Sequence, residues 1–285
     1  MSTSMSGLQL PGHTHLSLNR CSVPPHILGS LVFQRHPTAL FLDGVLDFHR
    51  DLFCTLDGIA TAKDRAALFM EFMRASFFLD HPEEAGSAPA TQRIHREKAD
   101  YLRLIRGWLF NADSREGAVL KGWVESRFGL LPRNHCGPLG DFTGANYQAY
   151  LAARTQGLYN CNALEAQVDL LYTYCQYEIT RRYPASTTHL TLYRGINHIT
   201  EHEILARPDP NQWCLVMNNL NSFTASADRA DEFGDVVLFG QVPLVKILLM
   251  PDLLPGALCN EQEYLVIGGV YQLEEWSRCV RPSRD

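Results

Sequence analysis

The hydrophobic pattern of this chain changes once, at Pro184, and that change narrows the folds open to it. Before Pro184 apolar residues recur at three and four, the spacing of one helical face; after it they form short runs with period two or β-rich composition. Helices gathered first and strands gathered last, without regular alternation, predict an α+β fold: a helical amino-terminal part packed on a mainly antiparallel sheet or sandwich, not a doubly wound one. No internal repeat is present.

Helices are expected at 59–79, with Leu68, Phe69, Phe72, Met73 and Phe77 on one face, and at 89–110, with Tyr101, Leu102, Ile105, Trp108 and Leu109. A third follows Asp113, spaced to Glu116 as a capping box, and a fourth runs from Asn162, three before Glu165, to the residue preceding Tyr183-Pro184. A short helix at 25–33 lies in a Pro-rich extended segment, and the Pro and Gly residues of 132–144 mark a loop. Strands are expected at 188–193, 220–225, 236–242, 245–250 and 264–273, with one helix at 227–233. Residues 1–17 read as a loose tail, 18–183 as the helical part, and 184–285 as the β-rich part, the last two forming one compact unit.

Composition excludes whole classes of function. Hydrophobic residues make up 46% and charged residues 20%, ordinary soluble usage, and no run approaches the length of a membrane span. The net charge of -6 is uneven: residues 1–150 carry 15 Lys+Arg against 15 Asp+Glu, and residues 151–285 carry 10 against 16. That balance lacks the basic footprint of a nucleic-acid binder and suits a basic protein surface as partner. Eight cysteines without a C-x-x-C pair predict free thiols, and a Ser-rich start with no apolar stretch predicts no secretory signal; the expected location is the cytoplasm.

Three features of the β-rich part can carry chemistry if the strands bring them together. In Leu192-Tyr193-Arg194-Gly195 a strand-end guanidinium can hold phosphate by paired hydrogen bonds, and the glycine lets a ligand approach the backbone; the plainer reading is a surface arginine. In the segment 221–226 alternation puts Ser222, Thr224 and Ser226 on one face, a row of hydroxyls that could line a cleft, or a polar face with Ser226 capping the next helix. In Asn260-Glu261-Gln262-Glu263-Tyr264 two carboxylates share one strand face, a repulsive arrangement that marks either a site or a solvated acidic turn.

Arginine, hydroxyl strand and Glu-x-Glu, in that order, resemble the arginine-specific ADP-ribosyltransferases. With Asn19-Arg20-Cys21-Ser22-Val23-Pro24-Pro25, the segment 31–37 and Tyr193-Arg194-Gly195-Ile196-Asn197, the resemblance sharpens to the bacterial dinitrogenase reductase ADP-ribosyltransferases over about residues 18–276. It implies transfer of ADP-ribose from NAD, consumed as a substrate, to an arginine of nitrogenase iron protein, switching nitrogen fixation off. It implies that Arg194 holds the NAD phosphate and that the backbone of Gly195 binds the nicotinamide amide. Glu263 would bind the nicotinamide ribose and stabilise its cation, and Glu261 would orient or deprotonate the acceptor guanidinium. Ser222, Thr224 and Ser226 all stay candidates for supporting Glu263, because Ser-Phe-Thr-Ala-Ser departs from the family's Ser-Thr-Ser. The loop 251–260 would meet the acceptor, and the helical part would help recognise the iron protein or a PII signalling protein acting as activator, with ADP.

Two alternatives stand beside this: an NAD glycohydrolase, in which water replaces the arginine, and a non-catalytic docking protein of the same fold. His198 and His202 have the i, i+4 spacing of zinc ligands but no third ligand, so no metal is expected. Cys136 beside His135 is not expected to form a thiol and base pair, since adjacent loop residues point apart. Without a Gly-x-Gly-x-x-Gly run, NAD would bind outside a Rossmann fold.

Overall fold

The computed structural model describes residues 8–80, 99–158, 163–199, 202–258 and 262–277. Expectations for Asn162, for Asn260 and Glu261, for Cys161, Cys259 and Cys279, and for 89–98 of the second helix fall outside these residues. The α+β class holds, with helices first and an antiparallel sheet of six strands after them among the described residues.

The amino-terminal part begins earlier than expected. Residues 8–17, read as loose, lie against the fold with Leu10 and Thr14 buried and a bridge from His15 to Leu130. One buried leucine and one buried threonine carry no apolar period, so the sequence pattern could not reveal them. The expected helix at 25–33 is two: α1 (Pro25–Leu28) and α2 (Leu31–Arg35), separated by Ser30, whose hydroxyl caps α2 by accepting from the Phe33 amide. Then come α3 (Val45–Phe48) and α4 (Arg50–Asp57), which the apolar spacing did not single out, and α5 (Ala62–Ser76), capped by Thr61.

α6 (Tyr101–Phe110) buries Tyr101, Leu104, Ile105 and Trp108. α7 (Arg115–Phe128) starts on Ser114, which accepts from the Gly117 amide at 3.0 Å, so the expected Asp113 cap is displaced by one residue. Asp113 is held elsewhere, accepting from Lys121 Nζ at 2.8 Å. α7 stops at Gly129, which takes the left-handed conformation (φ 71°) that only glycine adopts freely. α8 (Ala145–Gly157) follows the expected loop; it buries only Tyr150 and Gly157, too little apolar surface to show a period. α9 (Ala163–Arg182) is the long helix expected there, tied to α5 by a buried ion pair from Arg65 to Glu178, at 2.6 Å from Nε.

The strands are β1 (His189–Ile196), β2 (Glu203–Asp209), β3 (Gln212–Thr224), β4 (Val236–Pro243), β5 (Ile247–Leu249) and β6 (Glu263–Glu275), with α10 (Ala227–Asp231) between β3 and β4. Their order is β2-β3-β1-β4-β6-β5, with β3 also paired to β6. β1 pairs along its whole length with β4, but meets β3 at one position, Tyr193 opposite Thr224. Two strands that touch once and then part leave a split between them, and the candidate site lies in it. Among the described residues the main apolar core runs from Leu10 to Leu273, with β6 buried along most of its length, and a small second cluster gathers Ala118, Leu139 and Tyr150. Its burial joins helices and sheet, as Tyr172 on α9 shows by donating to the Val245 carbonyl at 2.7 Å.

Candidate active site

The cleft at the β1–β3 split is a cavity of about 390 Å³. β1 supplies Tyr193, Arg194 and Gly195; β3 supplies Ser222, Phe223 and Thr224; the start of β6 supplies Glu263. The end of α6 and the residues after it, 108–112, form a further wall, and Arg229, Ala230 and Phe233 another. Three of the sequence features therefore converge, because antiparallel pairing puts the end of β3 beside the start of β6: Thr224 stands directly opposite Glu263. Directly opposed residues hold their Cβ atoms roughly 5 Å apart, so the threonine hydroxyl and the carboxylate are neighbours.

Arg194 crosses the split. Its Nη1 donates to the Ser222 carbonyl at 2.8 Å, while its Nε is buried without a hydrogen-bond partner. Burial lowers the Arg194 pKa from its ordinary value, and the Glu263 carboxylate works in the opposite direction. A buried guanidinium with an unused donor, facing a cleft, is suited to a phosphate oxygen.

Gly195 has a packing reason to be glycine that the sequence does not show. A Cβ there would overlap the Ala230 carbonyl oxygen, so the missing side chain lets α10 lie against β1. The hydroxyls also divide. Ser222 lines the cleft, but its Oγ accepts from the Trp108 indole at 3.0 Å. Thr224 lines it beside Glu263, and its Oγ1 accepts from the Ser226 amide at 3.3 Å. Ser226 does not share that face: β3 ends at Thr224, alternation ends with it, and the Ser226 hydroxyl caps α10 by accepting from the Arg229 amide. Glu261 lies outside the described residues.

Beyond Arg194 a second recess of about 560 Å³ shares Trp108, Asn111, Ala112, Arg194 and Ser222 with the first. It is polar, lined by Lys121, Arg133, Asn218 and Asn221 among others. The Lys121 ammonium donates to Asp113 and to the Asn134 carbonyl; burial lowers its pKa and Asp113 partly restores it. Asn221 directs its Nδ2 to the Asn218 carbonyl and leaves Oδ1 buried without a partner. Trp108 and these recess residues were missed by sequence reasoning. The apolar spacing marks Trp108 as a core residue of its helix, which it is, and its indole donor has no local signal.

The background features separate as their chemistry suggests. Cys136 Sγ turns to the Asp113 carbonyl, whereas the His135 ring lies buried beside Lys121 with its pKa lowered by burial and by that cation. Among the described residues no cluster of three His, Cys, Asp or Glu side chains could hold a metal, five cysteines are free, and no helix is long and apolar enough to cross a membrane.

With the cleft assembled from Arg194, Thr224 and Glu263, comparison with known proteins becomes specific. The model of the family "Dinitrogenase reductase ADP-ribosyltransferase" matches residues 18–275, nearly the whole chain. This chain belongs to that family. A curated relative from Rhodospirillum rubrum, named NAD(+)--dinitrogen-reductase ADP-D-ribosyltransferase, is 38% identical over 270 residues, 93% of this chain and 96% of the relative. No solved structure matches the chain. The family match spans both the helical part and the sheet, so the wall built by α6 lies within the family region just as the β strands do.

Proposed function

We propose that this chain is a mono-ADP-ribosyltransferase that moves ADP-ribose from NAD to an arginine of dinitrogenase reductase. The observation that carries the reading is the convergence of Arg194, Thr224 and Glu263, from three strands, in one cleft of a chain belonging to this family. The two connected recesses on either side of Arg194 suit a dinucleotide, two nucleosides joined through a pyrophosphate. Arg194 has an unused buried donor to offer that pyrophosphate.

In this reading Arg194 holds NAD by its phosphate, and the Gly195 backbone meets the nicotinamide amide. Glu263 accepts from the 2′-hydroxyl of the nicotinamide ribose and stabilises positive charge on the sugar as the bond from C1′ to the nicotinamide nitrogen breaks. The electron pair leaves with nicotinamide, which departs neutral. Thr224, opposite Glu263, is the hydroxyl we assign to steadying that carboxylate. Ser222 stands opposite Leu265 instead, and Ser226 lies beyond the end of β3. A bond then forms from C1′ to an acceptor guanidinium nitrogen, whose proton needs a base; we assign that to Glu261, on the resemblance alone. The PII activator is part of the same proposal and rests on the same resemblance; a cytoplasmic location is proposed with it, on the sparse cysteines without a Cys-x-x-Cys pair.

The test is transfer of labelled ADP-ribose from NAD to purified dinitrogenase reductase, with PII and ADP present, comparing the unaltered chain with Glu263→Gln. Labelling that falls by at least about a hundredfold in the variant, with NAD binding retained, is the expected result. An unaltered chain that fails to label, beside a working control transferase, overturns the reading.

A further inference from the structure

Phe110, the last residue of α6, is 94% exposed, more than any other large apolar side chain among the described residues. Helical geometry explains how it comes to be outside: Tyr101, Leu104, Ile105 and Trp108 form the buried face, and Phe110, about 200° on from Trp108, falls away from it. Packing gives no reason for a phenyl ring there, since a polar residue would serve α6 equally well. The ring nevertheless stands at the rim of the cleft that holds Arg194 and Glu263. Phe233 borders the same cleft, half open at 61%, but the Arg229 guanidinium lies over its ring at 5.2 Å. The face of Phe110 is open to solvent.

A ligand inside a cleft covers the side chains that line its floor. A rim side chain with almost all of its surface in water is covered only by something arriving from outside, and at the mouth of this cleft that is the acceptor protein, which must bring its arginine to the sugar there, as the PII activator need not. We propose that Phe110 is a specificity-determining residue for the protein acceptor, packing against the surface around the target arginine and holding it at the mouth of the cleft. Two properties of the ring suit that task. An aromatic side chain buries a large area at little conformational cost and is a typical anchor of protein interfaces. Its face also attracts a guanidinium, so an arginine approaching the sugar meets a surface that favours it before it reaches the carboxylate. The inference rests on the transferase reading above.

Kinetics with Phe110→Ala and Phe110→Tyr test it; at 94% exposure neither change removes core packing. Three quantities are measured with PII and ADP present: ADP-ribose transfer as a function of dinitrogenase reductase concentration, nicotinamide release without acceptor, and NAD binding by titration. The expected result for Phe110→Ala is a fall of about tenfold or more in kcat/KM for the protein acceptor, mostly in KM. The rise in acceptor KM should exceed any change in NAD binding or in acceptor-free nicotinamide release by about fivefold or more, and Phe110→Tyr should recover most of the loss. Transfer by Phe110→Ala equal to that of the unaltered chain would overturn the inference alone, as would an equal fall in all three quantities, which would mean the ring serves NAD. An unaltered chain that neither labels the acceptor nor releases nicotinamide would instead remove the transferase reading, and this inference with it.

Discussion

At the scale of single residues, Gly195 and Thr224 separate what the sequence shows from what only the fold can show. The pair Arg194-Gly195 was legible as a motif, since a strand-end arginine before a glycine is visible in one short segment. Why the second residue is glycine was not legible, because its neighbour Ala230 lies on α10, thirty-five positions away. Gly195→Ala would drive a methyl group into the Ala230 carbonyl and push α10 from β1. We expect a loss of about 1–3 kcal/mol in urea unfolding and weaker NAD binding, since α10 borders the cleft. A protein as stable as the unaltered one would show that α10 yields freely. For Thr224 the prediction concerns chemistry. Thr224→Val keeps the shape but removes the hydroxyl beside Glu263, so transfer should fall by about tenfold or more while stability changes by less than about 1.5 kcal/mol. Should Thr224→Val leave transfer intact and Ser222→Ala reduce it, the supporting hydroxyl is Ser222.

Among the elements, those with a strong local period were readable and those made by tertiary contact were not. α5, α6 and α9 carry apolar stripes or caps, and β1, β4 and β6 are compact β-rich runs. β3 extends from Gln212 rather than from 220, because it is buried on both faces over much of its length and so shows little alternation. β2 was missed altogether: no residue of it is buried, and Pro208 falls within it. The contribution of α6 to the cleft was also hidden, since a helix read as a core stripe gives no hint that its last turn borders a site in the other half of the chain. Trp108→Phe isolates that contribution. The phenyl ring fills most of the same buried space, but the donor to Ser222 Oγ is lost. The expected outcome is a destabilisation of about 1–2 kcal/mol in urea unfolding, together with a rise in the KM for NAD as the wall of the cleft loosens. A stability loss with unchanged NAD kinetics would confine Trp108 to the core.

For the whole molecule, the sheet is joined to the amino-terminal helices through buried groups whose charge the sequence could not reveal, and Lys246 is the sharpest of them. It sits just before β5, fully buried, with its Nζ donating to the Gly268 carbonyl of β6 at 2.9 Å and lying near the rings of Tyr271 (4.9 Å) and of Phe33 on α2 (5.5 Å). In the sequence it is one lysine in an apolar run, indistinguishable from a strand-end charge. Burial lowers its pKa from 10.5 to about 7. The unfolded chain keeps the proton up to the ordinary lysine value, whereas the folded chain releases it near neutrality. Between those two values the unfolded state binds more protons, so this residue makes stability rise with pH; below the folded value both states are protonated, and the cost of the buried charge is present in full. Each pH unit inside that window is worth up to about 1.4 kcal/mol for one proton. Urea unfolding of the unaltered chain and of Lys246→Met, at pH values of about 7 and 8.5, should therefore differ in slope. The unaltered chain should gain up to about 2 kcal/mol relative to the variant across that interval, other groups titrating alike in both. Parallel pH profiles would mean that Lys246 keeps its proton in the folded core, held there by the Gly268 carbonyl and the two rings.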